Sequence, residues 1–152
     1  MNKVSGALNR LSEWALVVFL SAMTLAVFLE ILFRYVFHFP LFWTEEFARY
    51  CLVWSSLLGA TIAFKRGEHI AVTFFMDRLP TRSRRVLGFA AGVSVAVILL
   101  VILWGGIQLI SVTSRQLSPA LRVSMAIPYA ALPIAAAIML VHALNHAIKF
   151  KL

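Results

Sequence analysis

Charge is scarce in this chain, and acid is scarcer than base. Of 152 residues only 13% are Asp, Glu, Lys or Arg and just six are acidic, whereas 62% are hydrophobic. A soluble domain of this size needs far more polar surface than that, so a water-solvated globule is excluded. There is one cysteine, Cys51, which rules out a disulfide framework and suggests no redox role. Equally missing are a phosphate-binding glycine loop, a nucleophile beside a base, carboxylates paired inside an apolar run, and any metal-ligand spacing. These absences argue against an enzyme, and no cofactor or metal is called for. No repeat, low-complexity tract or second domain interrupts the chain, so residues 1–152 read as a single membrane domain.

What the chain does have is four long apolar stretches, at residues 14–37, 47–64, 86–111 and 125–147. The first would run about 36 Å as a helix, enough to cross a hydrocarbon core of about 30 Å. Barrel strands would instead show short alternating segments, so helices are the spanning elements. The expected fold is an all-α integral membrane protein with four transmembrane helices at about 14–37, 44–64, 84–111 and 125–147. Residues 1–13 read as a polar lead. Although a basic start followed by an apolar run superficially resembles a signal peptide, the run is too long and lacks a small-residue cleavage site, so it reads as a retained span.

The net charge of +8 does not indicate nucleic acid, because the basic residues lie between and beside the apolar stretches. Ten of them (Lys3, Arg10, Lys65, Arg66, Arg78, Arg82, Arg84, Arg85, Lys149 and Lys151) fall on one side of a four-span topology. Only Arg115 and Arg122 fall in the loop on the other. By the positive-inside rule both termini and the middle loop are expected in the cytoplasm.

The chain is organised around the stretch from Glu30 to Ile70, which reads as a helical hairpin with its polar residues gathered at one end. Glu30 and Arg34 stand at i,i+4 near the end of the first span, the favourable order for an ion pair. After a short loop containing Pro40, Thr44 is placed as the N-cap of the second helix. Glu45 and Glu46 then occupy its first turn, where the helix dipole favours acid. Arg49 follows. The short turn predicts that Glu30, Arg34, Glu45, Glu46 and Arg49 crowd together at one depth. Mutually satisfying ion pairs, an ion or substrate site, and a docking surface for a neighbouring subunit all fit that cluster. Further along, Ser55-x-x-x-Gly59 offers a small face for close helix contact.

Residues 65–85 are too polar to span and too apolar to be a free loop. An in-plane segment at about 68–80 is expected, apolar side in the acyl boundary and arginines toward lipid headgroups. Pro80 ends it. Gly88-x-x-x-Gly92 is a common helix-contact pattern. Pro128 suits the first turn of the fourth helix, and Pro133 should bend that helix. His142 and His146, one turn apart, lack further ligands for a metal and suit the helix C-terminus. No span carries a charge at its centre, as a self-sufficient ion-coupled carrier usually needs.

The runs F-R-Y-V-F, P-L-F-W-T-E-E-F-A-R-Y and L-G-A-T-I-A-F-K-R-G-E-H-I, followed by S-P-A-L-R-V-S-M-A-I-P-Y and Pro133, carry a resemblance. Over about residues 10–148 the chain resembles the small membrane subunit of tripartite ATP-independent periplasmic (TRAP) transporters, the DctQ-like family. The resemblance implies a scaffold packed against a large multi-spanning permease subunit, with a periplasmic substrate-binding protein delivering substrate and membrane lipids around it. It implies uptake of organic-acid anions driven by an ion gradient, typically sodium, in a bacterial inner membrane. On that view Arg34, Tyr35, Trp43, Glu45, Glu46 and Arg49 hold the outer hairpin and face partners, with Glu30 beside them. Gly59, Gly67, Glu68 and His69 would shape the inner junction. Thr73 departs from the acidic residue the family often has there. Two alternatives stay open: a small homodimeric multidrug exporter, and a non-transporting membrane assembly factor. The exporter would rely on an acidic residue in the middle of the first span, whereas Glu13 precedes that span and Glu30 is near its far end.

Overall fold

The computed structural model describes residues 2–66 and 81–149, and these are helical apart from connecting turns and one isolated antiparallel bridge between Leu117 and Ser124. Helix α1 covers Asn2–Tyr35, α2 Thr44–Arg66 and α3 Thr81–Thr113; α4 is one turn at Ala126–Tyr129, and α5 covers Ala131–Lys149. Four stretches are long and apolar enough to cross a membrane: Ser5–Tyr35, Thr44–Arg66, Leu87–Thr113 and Ala126–Asn145. The protein is therefore all-α with four transmembrane helices. The expected in-plane segment at 68–80 lies outside the described residues, as do Gly67, Glu68 and His69.

The turn after α1 closes within a few residues. His38 takes up φ 54°, an uncommon left-handed conformation that histidine tolerates better than most side chains. The Phe39 N–H then reaches back to the Phe33 carbonyl at 3.0 Å. The first helical bond of α2 runs from the Phe47 N–H to the Trp43 carbonyl, so Trp43, not Thr44, holds the cap position. Thr44 is instead fully buried, and its hydroxyl donates to the Leu41 carbonyl at 2.8 Å. That bond fastens the turn to α2. We call this end, with the 36–43 turn and the 114–125 loop, the loop end; the opposite one, where α1 starts and α5 ends, is the terminal end.

Residues 2–13 are not a separate polar lead but the first turns of α1. Some of their polar groups find helical or interhelical partners. Asn9 Nδ2 donates to Glu13 Oε1 one turn on, at 2.7 Å, and Ser5 Oγ lies 2.9 Å from His142 Nδ1 on α5. Ser5 and Ser12 are buried, which only side chains this small permit at a close helix contact.

Helix α1 packs chiefly on α2, α2 on α5, and α5 on α3, giving the lateral order α1–α2–α5–α3. In the most apolar 18-residue window of α1 and of α3 only 6% is buried, against 33% for α2 and for the α4–α5 span. The inner pair makes the core and the outer pair faces the surroundings. Core residues are small or polar for the most part: Ala26, Cys51, Ala131, Ala135 and Ala136, with Ser55, Thr61 and Thr113. The three hydroxyls are satisfied by carbonyls of their own helix, at 2.7–3.0 Å. Phe19 on α1 stacks on Trp54 of α2, with ring centroids 5.5 Å apart.

Two glycines read as contact positions behave differently from expectation. A Cβ built on Gly59 or Gly92 would meet nothing within 4 Å, so neither marks a close contact among the described residues, although Ser55 is buried. The intimate approach is at Gly106 on α3, where a Cβ would stand 2.8 Å from Pro133 Cδ. Pro133 also explains the interruption at Ala130. Lacking an N–H, it leaves the Tyr129 carbonyl without its helical partner, and α4 and α5 are separated one turn before it. Pro128 sits in the α4 turn, as expected.

Candidate functional site

The sequence places two glutamates side by side at the start of α2, and the helix sends them in different directions. A step of about 100° per residue turns Glu45 outward and Glu46 toward the bundle. Glu45 pairs with Arg49 one turn on, Nη2 to Oε1 at 2.8 Å, with both side chains more than two-thirds exposed. Glu46 is buried. Its Oε2 accepts the backbone N–H groups of Ala120 and Leu121, at 2.8 and 3.1 Å, across 74 and 75 residues of sequence. Its Oε1 accepts the Tyr50 hydroxyl, which also lies 3.3 Å from Met125 Sδ.

The loop that Glu46 grips is tightly built. The Ser118 N–H donates to the Val123 carbonyl at 2.8 Å, and the Met125 N–H to the Gln116 carbonyl at 2.9 Å. Ser118 is fully buried, and its hydroxyl accepts the Val123 N–H at 3.3 Å. Ser124 Oγ donates to the Ser114 carbonyl and accepts the Ala126 N–H, joining the loop to the start of α4. Arg122 completes the reversal with φ 57°. Two adjacent N–H groups are thereby left pointing at one place, where a carboxylate meets them. Such paired backbone donors form an anion-binding concavity, and the anion here is the protein's own side chain.

The expected five-residue cluster is therefore divided into three. Glu30 and Arg34 pair within α1 at 2.6 Å, with the Arg34 side chain about half exposed. Glu45 and Arg49 pair within α2. Glu46 joins neither, because backbone donors from the far loop already occupy it. No ion pair crosses between α1 and α2 at the loop end among the described residues. Trp43, partly exposed, stacks edge-on to Phe47 with centroids 6.2 Å apart. Gly59 lies far along α2 toward the terminal end.

Sequence reasoning missed Tyr50, the 118–121 turn and Met125 as partners of Glu46. A signal was present in T-E-E-F-A-R-Y, where Glu46 and Tyr50 stand at i,i+4, but no local pattern names the distant loop. His142 also differs from its expected role. It is buried and bonded to Ser5, with Nε2 unpartnered, rather than placed to interact with the end of its helix. No group of three or more His, Cys, Asp or Glu able to hold a metal occurs among the described residues. The arrangement at the loop end can fasten a loop and present an ion pair.

The chain is similar to known membrane transport proteins. Residues 23–150 match the family model described as tripartite ATP-independent periplasmic transporters, DctQ component. A putative TRAP transporter small permease protein of Haemophilus influenzae is 29% identical over 134 residues, 88% of this chain and 81% of that protein. The sialic acid TRAP transporter small permease protein SiaQ of Vibrio cholerae is 32% identical over 90 residues, 59% of this chain and 52% of that protein. The isethionate TRAP transporter permease protein DctMQ of Oleidesulfovibrio alaskensis is 35% identical over 105 residues, 68% of this chain but only 16% of that protein. The chain thus spans about half the length, or less, of several curated relatives it matches.

Proposed function

This chain belongs to the DctQ-component family of the tripartite ATP-independent periplasmic transporters, and from that membership we propose how it works as a small permease subunit in a bacterial inner membrane. It braces a large multi-spanning permease subunit that holds the transport pathway. A periplasmic binding protein delivers substrate to the pair. Uptake is driven by an ion gradient, with sodium as the coupling ion and organic-acid anions as cargo. Both termini face the cytoplasm, on the strength of the basic bias of their side, so the loop end faces the periplasm.

The observation that carries the scaffold reading is the use made of the buried carboxylate. Intramembrane ionisable groups in carriers are normally poised for an ion or substrate. Here Glu46, the buried carboxylate among the described residues, is engaged at both oxygens by Tyr50 and two backbone N–H groups, which supports reading it as a fastener. The relation to DctMQ agrees with this, since the matched stretch is a small part of that much longer permease protein. The exposed residues of the loop end, Trp43, Glu45 and Arg49, with Arg34 and Glu30 on α1, are assigned to contacts with partners. Gly59, Gly67, Glu68 and His69 are assigned to the inner junction.

A mild-detergent pull-down of the tagged chain from its native membranes, with mass spectrometry of what co-purifies, tests the assignment. A stoichiometric large permease is expected. A lone homodimer would overturn the scaffold role.

A further inference from the structure

Met125 is the joint at which three parts of the loop end meet. Its N–H donates to the Gln116 carbonyl at 2.9 Å, tying the 114–125 loop to itself. Its carbonyl accepts the Tyr129 N–H at 3.4 Å, within the turn that forms α4. Its Sδ lies 3.3 Å from the Tyr50 hydroxyl on α2, across 75 residues of sequence. That hydroxyl has a single proton and donates it to Glu46 Oε1. The sulfur therefore touches the clamp that holds the loop without taking a donor from it.

We propose that Met125 is an oxidation-sensitive latch on that clamp: a peroxide converts its thioether to the sulfoxide, and the sulfoxide loosens the 114–125 loop from α2. In that step the peroxide O–O bond breaks and an S–O bond forms. The sulfur gives up two electrons, and the peroxide is reduced to water. Two observations give the change its effect. The Tyr50 O–H and the Ala120 and Leu121 N–H groups are all committed to the two oxygens of Glu46. A sulfoxide oxygen is a further acceptor and brings no donor, so it either draws Tyr50 from Glu46 or stands unpaired beside a carboxylate. Room is also lacking. An O–H···O bond alone takes about 2.7 Å, so the 3.3 Å from sulfur to hydroxyl cannot also hold an S–O bond on that line. Tyr50 or Met125 must move, and the Met125 backbone carries the loop and α4 with it.

Among the described methionines, Met125 is also the one that a water-borne oxidant meets. It is partly exposed and stands just before the Ala126–Asn145 span, in the polar loop. Met23 and Met139 lie inside the Ser5–Tyr35 and Ala126–Asn145 spans, where the medium is hydrocarbon. Oxidation makes a flexible apolar side chain polar, and methionine sulfoxide reductases reverse it. The loosening is therefore reversible. The proposal rests on the loop-end contacts alone and stands independently of the transporter reading.

The test treats the full chain in mild detergent with hydrogen peroxide. Peptide mass spectrometry maps the oxygen gained, and trypsin cleavage after the exposed Arg115 and Arg122 reads the loop. Met125 is expected to gain oxygen roughly tenfold faster than Met23 and Met139, and loop cleavage to rise about fivefold as it does. Methionine sulfoxide reductase should return cleavage to its starting rate. Met125→Leu keeps the volume and removes the sulfur, so its loop should ignore peroxide. Tyr50→Phe removes the contested hydroxyl; its loop starts looser and should respond to peroxide less than the wild type. Circular dichroism checks that both variants are folded. Oxidation of wild-type Met125 with no change in cleavage would overturn the proposal. So would oxidation of Met23 or Met139 as fast as Met125, and so would a full peroxide response in folded Met125→Leu or Tyr50→Phe.

Discussion

The two ends of this bundle solve the same problem differently. Both must tie helices together through polar groups close to an apolar interior. At the loop end the buried carboxylate of Glu46 is fully engaged, and the 114–125 loop has hydrogen bonds along its length. Among the described residues, the ties at the terminal end are a Ser5–His142 bond and a loose Glu13–Arg66 pair, while Asn9 Oδ1, His142 Nε2 and Asn145 Nδ2 are buried without partners. The loop end is finished by the chain itself. The terminal end, as far as the described residues go, keeps spare hydrogen-bonding capacity. Buried polar groups left unpaired cost stability, so the bundle should be held more firmly at one end than at the other.

The sharpest way to break that contrast is Glu46→Ala. It leaves the Ala120 and Leu121 N–H groups without their acceptor and the Tyr50 hydroxyl without its own, and should lower the thermal midpoint in detergent by roughly 10 °C. Proteolysis of the 114–125 loop should rise in parallel. Glu46→Gln keeps a carbonyl acceptor and should lose less. If Glu46→Ala melts like wild type, the loop end does not depend on the carboxylate.

Next in size is Gly106→Ala, which forces a Cβ to within 2.8 Å of Pro133 and must push α3 from α5. A fall of roughly 5 °C is expected, while Gly59→Ala should hold or rise slightly. Matching behaviour of the two alanines would mean that glycine spacing, rather than the Pro133 contact, governs packing.

Ser5→Ala probes the other end. It deprives the buried His142 of its Ser5 hydrogen bond and should lower the midpoint by only about 3 °C. A loss as large as that of Glu46→Ala would erase the difference between the ends. Smallest of all should be Glu45→Ala and Arg49→Ala, each within roughly 2 °C of wild type, because exposed ion pairs contribute little. These two sharpen the comparison functionally. They should reduce recovery of the large permease or uptake more than His142→Ala does, and wild-type assembly and uptake in all three would remove the loop-end pair from the partner surface.

Much of the architecture was legible in the sequence because it depends on local quantities. Helix number follows from the length of apolar runs, and the hairpin from a short polar turn between two of them. The Glu30–Arg34 and Glu45–Arg49 pairs follow from i,i+4 spacing. Where reading by spacing failed, geometry across helices was the missing quantity. Gly59 looked like a contact and faces open space, whereas Gly106 meets Pro133 because α3 happens to lie against α5 at that height. Residues 2–13 looked like a lead and are helical, with Ser5 buried against His142 of α5.

The sequence by itself therefore determined that the protein is a four-helix membrane chain with a basic end and an acid-rich hairpin, since hydrophobic length and charge are summed along the chain. Which of two adjacent glutamates would be buried, and for what, was decided only by the tertiary structure. Glu45 and Glu46 are identical residues in one helical turn; what separates them is a pair of backbone N–H groups some 74 residues away, brought to one side of α2 by the packing of the helices. A buried carboxylate is retained only where donors replace its water, and the position of those donors belongs to the fold.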